Sequence, residues 1–197
     1  MARALTFDTV LAALDRPAPQ PSSDYDLNPD VSLPPGRVLK PAAVLVGVFE
    51  DQIILTKRAS HLKHHPGQIA FPGGKVDPED DGAVDAALRE AEEEIGLDRG
   101  NVDVAAQLPA HETVTSYLVT PVLARINRAF APRPEAGEVA EVFQAPLDIL
   151  LHPDRFRVER RRWRGQWRSY YVVPYGPYYV WGATARILKS IADRVSP

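Results

Sequence analysis

Residues 89–97 read Arg-Glu-Ala-Glu-Glu-Glu-Ile-Gly-Leu and place four carboxylates, Glu90, Glu92, Glu93 and Glu94, within five positions. On a helix of 3.6 residues per turn, Glu93 falls about −60° and Glu94 about +40° from Glu90. These three acids share a face, and Glu92 points to roughly the opposite side. Val84, Leu88, Ala91 and Ile95 form a separate apolar stripe suited to a core. Like charges at i,i+3 and i,i+4 cost roughly 0.2–0.5 kcal/mol each on a bare helix. A hard divalent cation removes that cost, and clustered carboxylate oxygens suit Mg²⁺ or Mn²⁺. The plainer alternative is a solvated acidic face. Such a face gains from interspersed lysines, and residues 76–100 contain none. The helix is also fed by Phe71-Pro72-Gly73-Gly74, whose glycines let a backbone approach a ligand closely.

The elements that must position these acids are legible in the flanking patterns. Residues 7–14 read as a short amphipathic helix. Residues 16–37 hold Pro17, Pro19, Pro21, Pro29, Pro34 and Pro35, too many for regular structure, and read as an arm over the surface. Residues 42–49 and 52–57 form a hairpin about Glu50-Asp51. The acidic helix spans residues 82–95 and ends at Gly96. Strands follow at 102–108, 116–124 and 139–143, then a hairpin of 156–163 and 168–173 around Gly165, and a helix at 182–195. This order predicts an α/β (α+β) fold with a mixed β-sheet sandwiched between α-helices.

The 197 residues are 45% hydrophobic and 25% charged, as in an ordinary globular chain long enough to bury a core. A formal net charge of −3 provides no general attraction to nucleic acid or acidic membranes. Without cysteine there is no thiol nucleophile, disulfide or thiolate metal site. Residues 1–15 lack the pattern of a secretory signal and no stretch reaches spanning length, so a cytoplasmic location with no membrane partner is expected.

Gly74 followed by residues 89–97 resembles the Nudix box, G-x5-E-x7-R-E-U-x-E-E-x-G-U with U apolar. The second half matches at every fixed position. In the first half, the Gly74–Arg89 spacing is one residue longer, and Asp77, Glu79, Asp80 and Asp81 replace the single upstream Glu. Upstream, Leu55-Thr56-Lys57-Arg58-Ala59, Leu62 and then His65 to Gly74 resemble the coenzyme A diphosphatase branch, in which the expansion with Asp80 also occurs. The resemblance covers roughly residues 40–188. It implies a Nudix domain over residues 37–197, after an N-terminal helix and proline-rich arm at 1–36.

The family resemblance implies metal-dependent hydrolysis of the diphosphate of coenzyme A, or of its thioesters or disulfide, to 3′,5′-ADP and 4′-phosphopantetheine. It assigns Glu90, Glu93 and Glu94, with Gly74, to the metal, and Arg89 to holding a glutamate by an ion pair. A further carboxylate, Glu138 first and Glu112 second, would complete the site as ligand or general base. Arg58, His65, Gly73 and Gly74 would meet the substrate, with a loop-holding role equally open for His65; His64 is expected at the surface. The arginine run Arg155, Arg157, Arg160, Arg161, Arg162, Arg164 and Arg168, interleaved with Trp163 and Trp167, suits a hairpin with one wet face. Nucleic acid is not expected as its partner, and one or two of these arginines could meet the 3′-phosphate of the substrate. The small-molecule reading leaves a monomer or a homodimer open. Rival readings are a Nudix hydrolase for ADP-ribose, NADH or another nucleotide derivative, and a Nudix-fold module that binds without turnover.

Overall fold

The computed structural model describes residues 5–16, 20–33, 36–163 and 165–195. Pro17, Pro19, Pro34 and Pro35 of the arm, and Arg164 of the arginine run, lie outside the described residues.

Helix α1 (Phe7–Ala13) starts at Thr6, whose side chain caps the Thr9 amide, and buries Phe7, Val10 and Ala13 at helical spacing. In the arm, β1 (Ser22–Ser23) pairs in parallel with β7 (His111–Glu112). Strands β2 (Lys40–Phe49) and β3 (Gln52–Arg58) meet at Glu50-Asp51, where both residues take positive φ, 46° and 60°. That pair of left-handed residues follows the right-handed twist of a hairpin. Then come β4 (Ile69–Ala70), β5 (Gly73–Lys75), α2 (Ala83–Ile95), β6 (Val102–Gln107), β8 (Tyr117–Ile126), β9 (Val139–Pro146) and the single turn α3 (Leu147–Leu150). The chain ends with β10 (Arg157–Trp163), β11 (Gln166–Tyr175), β12 (Tyr178–Trp181) and α4 (Ala183–Val195).

One sheet runs β1-β7-β8-β2-β3-β4, with β5 also on β2, β6 on β8 and β9 on β3; β2 and β8 are parallel and the central β2–β3 pair antiparallel. Strands β10, β11 and β12 form a second, antiparallel sheet. The large sheet is mixed, as expected. Its alternation divides the core: Ala43, Leu45, Ile54, Val122 and Ala124 pack under α2, while Val46, Val48, Ile53, Leu55 and Leu123 pack with α1 and α4 on the other face. Helices on both faces therefore clamp the sheet.

Three details differ from expectation. The buried stripe of α2 is Ala86, Ala87, Ala91 and Ile95, with Val84 and Leu88 only partly covered. Small alanines let the helix lie close to the sheet and push the larger side chains to the flanks of the contact. The second strand of the Arg-rich hairpin starts nearer the turn, at Gln166, and runs on at its far end to Tyr175. Finally, β1, β4, β5, β7, β12 and α3 were not anticipated, because elements of two to four residues carry too little periodicity to read.

Candidate active site

The loop into β5 and the last turns of α2 meet side by side. Gly73 and Gly74 pair with Val44 and Ala43 of β2, which fixes their backbone at the edge of the helix. A Cβ on Gly74 would stand 2.2 Å from Glu90 Oε1, and one on Gly73 would stand 2.3 Å from the Ala43 carbonyl oxygen. Backbone approach requires glycine at 73, and at 74 a side chain would displace the Glu90 carboxylate. Glu94 is 6% exposed, and its Oε2 accepts the Gly73 N–H at 3.1 Å. Burial pushes its pKa up to about 7, against the pull of that hydrogen bond, and Glu90 and Glu138 add to the rise while Arg58 opposes it. Glu90 is also pushed up, mainly by burial, with Arg89 opposing. Two carboxylates thus sit in a place that disfavours their charge.

Arg89 organises the outer side of this cluster. Its Nε and Nη2 donate to the two carboxylate oxygens of Asp80 at 2.8 and 2.9 Å, and Nη2 also reaches the Lys75 carbonyl at 3.1 Å. Its Nη1 donates to Glu90 Oε1 at 3.1 Å and Glu93 Oε2 at 3.2 Å. The guanidinium fork holds Asp80 near pKa 2. One cation therefore ties the acidic loop, the end of β5 and two turns of α2 together. Glu92 points away, exposed, with its carboxylate 3.6 Å from Arg99. Glu93, at 59% side-chain exposure, leans on Arg89, and among the described residues no three acidic or histidine side chains converge in an arrangement ready to hold a cation. Glu90 and Glu93 share the Arg89 guanidinium, while Glu94 turns inward to the Gly73 N–H.

Arg58 ends β3 beside Glu94, and its carbonyl accepts the Gly67 N–H. His65 sits on the exposed loop with positive φ, 54°, and contacts Gln68. Partial desolvation and then Arg58 lower its pKa. The Ala59 N–H donates to the Glu138 carbonyl at 2.8 Å, so the turn before β9 lies against the end of β3. Glu138 is exposed and close enough to act electrostatically on both Glu90 and Glu94. Glu112 is held in β7 by an ion pair with Arg37. The structure therefore brings Arg58, Gly73, Gly74, Arg89, Glu90, Glu94 and Glu138 together and leaves Glu112 with a separate partner.

A family model described as NUDIX domain matches residues 38–167. The chain belongs to the Nudix family. The uncharacterized Nudix hydrolase NudL of Escherichia coli (strain K12) is 40% identical over 157 residues, covering 78% of this chain and 82% of that protein. NudL of Shigella boydii serotype 4 (strain Sb227) matches at the same identity and coverage. Among solved structures, the MutT protein from Methanosarcina mazei Go1 superposes with a TM-score of 0.48 at 22% identity, over 61% of this chain and 84% of that one. A C. elegans Ap4A hydrolase gives 0.45 at 22%, over 54% and 80%. The assignment rests on the family match and the NudL relatives. Nudix hydrolases are diphosphate-hydrolysing enzymes, and this chain is one of them.

Members of the Nudix family generally use divalent cations. The donor set here fits one: Glu90 and Glu94 offer oxygen only, and burial disfavours the charge of both. Two features of this Nudix site escaped the sequence. The fork between Arg89 and Asp80 crosses a loop, whereas the expected partner of Arg89 was a glutamate. The second is the cover of the helix end: Arg133 and Glu135 donate their N–H groups to the Ile95 and Glu94 carbonyls at 2.9 Å each. Nothing in residues 131–138 as a sequence signals that contact.

Proposed function

We propose that this Nudix hydrolase cleaves the diphosphate bond of coenzyme A, giving 3′,5′-ADP and 4′-phosphopantetheine. The observation that carries this reading is the seating of Glu94 against Gly73 and Arg58. The loop whose residues resemble the coenzyme A branch thereby forms one wall of the carboxylate cluster. In this reading Glu90, Glu93 and Glu94, with the Gly74 backbone, hold Mg²⁺ or Mn²⁺. A divalent cation supplies neutralisation of the diphosphate charge and acidification of water. Arg89 positions Glu90 and Glu93 and touches no substrate. Arg58 and His65 bind the phosphates, and the Gly73–Gly74 backbone, free of side chains, lets the diphosphate approach. A Glu138 carboxylate oxygen accepts the proton of the attacking water as its oxygen bonds to phosphorus and the bridging P–O bond breaks.

The test is incubation with Mg²⁺ and a panel of coenzyme A, acetyl-coenzyme A, oxidised coenzyme A, ADP-ribose, NADH and nucleoside triphosphates, with products identified by mass spectrometry. A kcat/KM for a coenzyme A species at least tenfold above the others is expected. Preferential cleavage of ADP-ribose or NADH would overturn the substrate. No cleavage of any member by folded protein would overturn the hydrolase.

A further inference from the structure

The small sheet separates the arginine run into two sets. Its register puts Arg160 and Arg162 on the same face as Trp167, while Glu159 and Arg161 share the opposite face with Tyr170, Tyr179 and Trp181. On that second face the groups touch. The Arg161 guanidinium lies 4.9 Å from the Trp181 ring centre, and Tyr170 meets Trp181 edge-on at 5.4 Å. The Tyr170 and Tyr179 hydroxyls are 3.2 Å apart, and the Tyr179 hydroxyl donates to Glu159 at 2.6 Å. Arg161 is exposed, Trp181 and Tyr170 are half-buried, and Tyr179 is 43% exposed. Rings held by their neighbours beside an open guanidinium make a surface for a flat aromatic group carrying an anion.

This face adjoins the loop that feeds the carboxylate cluster. Directly after Trp181, a Cβ on Gly182 would stand 3.7 Å from Gln68 Nε2. The Thr184 hydroxyl donates to the Ile69 carbonyl at 3.0 Å. Ile69 pairs with Lys57 of β3 and Gly73 with Val44 of β2, so the chain reverses between them, and four positions lead from this contact to the Gly73 N–H that Glu94 accepts.

We propose that Arg161, Tyr170, Tyr179 and Trp181 form the subsite for the 3′-phosphoadenosine end of the substrate, an assignment that rests on the coenzyme A reading above. The adenine lies against the Trp181 and tyrosine rings, and Arg161 takes the ribose 3′-phosphate. Glu159, held by Tyr179, fixes that ring and disfavours a second phosphate on its side. Arg160 and Arg162, on the other face, take no part.

Steady-state kinetics of Arg161→Gln, Arg160→Gln and Trp181→Leu on coenzyme A and 3′-dephospho-coenzyme A test the subsite. Arg161→Gln is expected to raise KM for coenzyme A on the order of 10-fold with kcat unchanged, and to leave 3′-dephospho-coenzyme A unaffected. Trp181→Leu should raise both KM values by a similar factor, and Arg160→Gln neither. Equal effects of Arg161→Gln on both substrates, or no effect of Trp181→Leu, would overturn the proposal. A second reading does not depend on turnover. Binding of 3′,5′-ADP should change the tryptophan fluorescence of the wild type and of Trp167→Phe, and not that of Trp181→Phe. If the wild type leaves coenzyme A uncut, the substrate assignment fails by itself. If 3′,5′-ADP gives no Trp181-dependent signal, the subsite fails.

Discussion

Replacing Glu94 by Gln should stabilise the metal-free protein at alkaline pH and leave it unchanged at acid pH. In the folded chain the Glu94 pKa is about 7, against an ordinary value of 4.5. Folding therefore favours the protonated acid, and the metal-free protein loses stability as pH rises from about 4.5 through about 7. At about 1.4 kcal/mol per unit, the full loss is about 3 kcal/mol at pH 8. Gln carries no charge at any of these pH values and keeps an amide oxygen for the Gly73 N–H. At pH 8 the variant should gain about 3 kcal/mol, or roughly 6–12 °C in Tm for a chain of this size. At pH 4 the two proteins should melt together. Glu90 is shifted in the same direction and leaves a residual slope in both proteins. Calorimetry in a chelator at pH 4, 6 and 8 measures the difference. Saturating Mg²⁺ at pH 8 should then recover most of the deficit in the wild type and little in the variant. Parallel Tm-versus-pH curves for wild type and Glu94→Gln would refute the reasoning, because Glu94 would not then be a buried charge lacking compensation.

Three further substitutions probe the frame of the site. Gly74→Ala drives a methyl into the Glu90 carboxylate, which stands 2.2 Å from the Cβ position. Displacing this proposed metal ligand by about an ångström should lower kcat on the order of 100-fold while Tm moves little, as read by initial rates and a melting curve. Arg89→Lys keeps the charge but loses the fork onto Asp80 and the simultaneous reach to Glu90 and Glu93. Its kcat should fall on the order of 10- to 100-fold, with KM within a factor of a few, since Arg89 positions the acids. His111 is fully buried between Ser22 and Asp24, at 2.9 and 3.1 Å. His111→Ala strips Ser22 of its partner, leaves Asp24 only the Val114 N–H and opens a cavity, which should cost about 3 kcal/mol in urea unfolding and expose the arm to limited proteolysis.

The sequence was most legible where one periodicity carried the information. Helical spacing placed Glu90 and Glu94 toward the glycine loop and turned Glu92 outward to Arg99. Short apolar runs rich in Val, Ile and Leu located β2, β3 and β8. Their order across the sheet was not legible, because the parallel β2–β8 pairing joins segments 77 positions apart through backbone hydrogen bonds that any residue can make. Space rather than pattern decided the remainder. The Ser22–His111–Asp24 contact links residues 87 and 89 positions apart, so an arm rich in proline proved to be tied to β7 by a buried imidazole. Glu93 shares its helix face with Glu90 as expected, but where its carboxylate rests depends on Arg89. Arg161 and Arg160 are indistinguishable as a charge run, and only strand register sends them to opposite faces.

The most direct test of the account is a product analysis of coenzyme A turnover in ¹⁸O-labelled water, first in chelator and then with Mg²⁺ restored. Hydrolysis of the diphosphate predicts no turnover in chelator and, with Mg²⁺, equal amounts of 3′,5′-ADP and 4′-phosphopantetheine. One ¹⁸O should enter a single phosphate product. Turnover that persists in chelator, release of inorganic phosphate in place of the two products, or failure to cleave coenzyme A would contradict it.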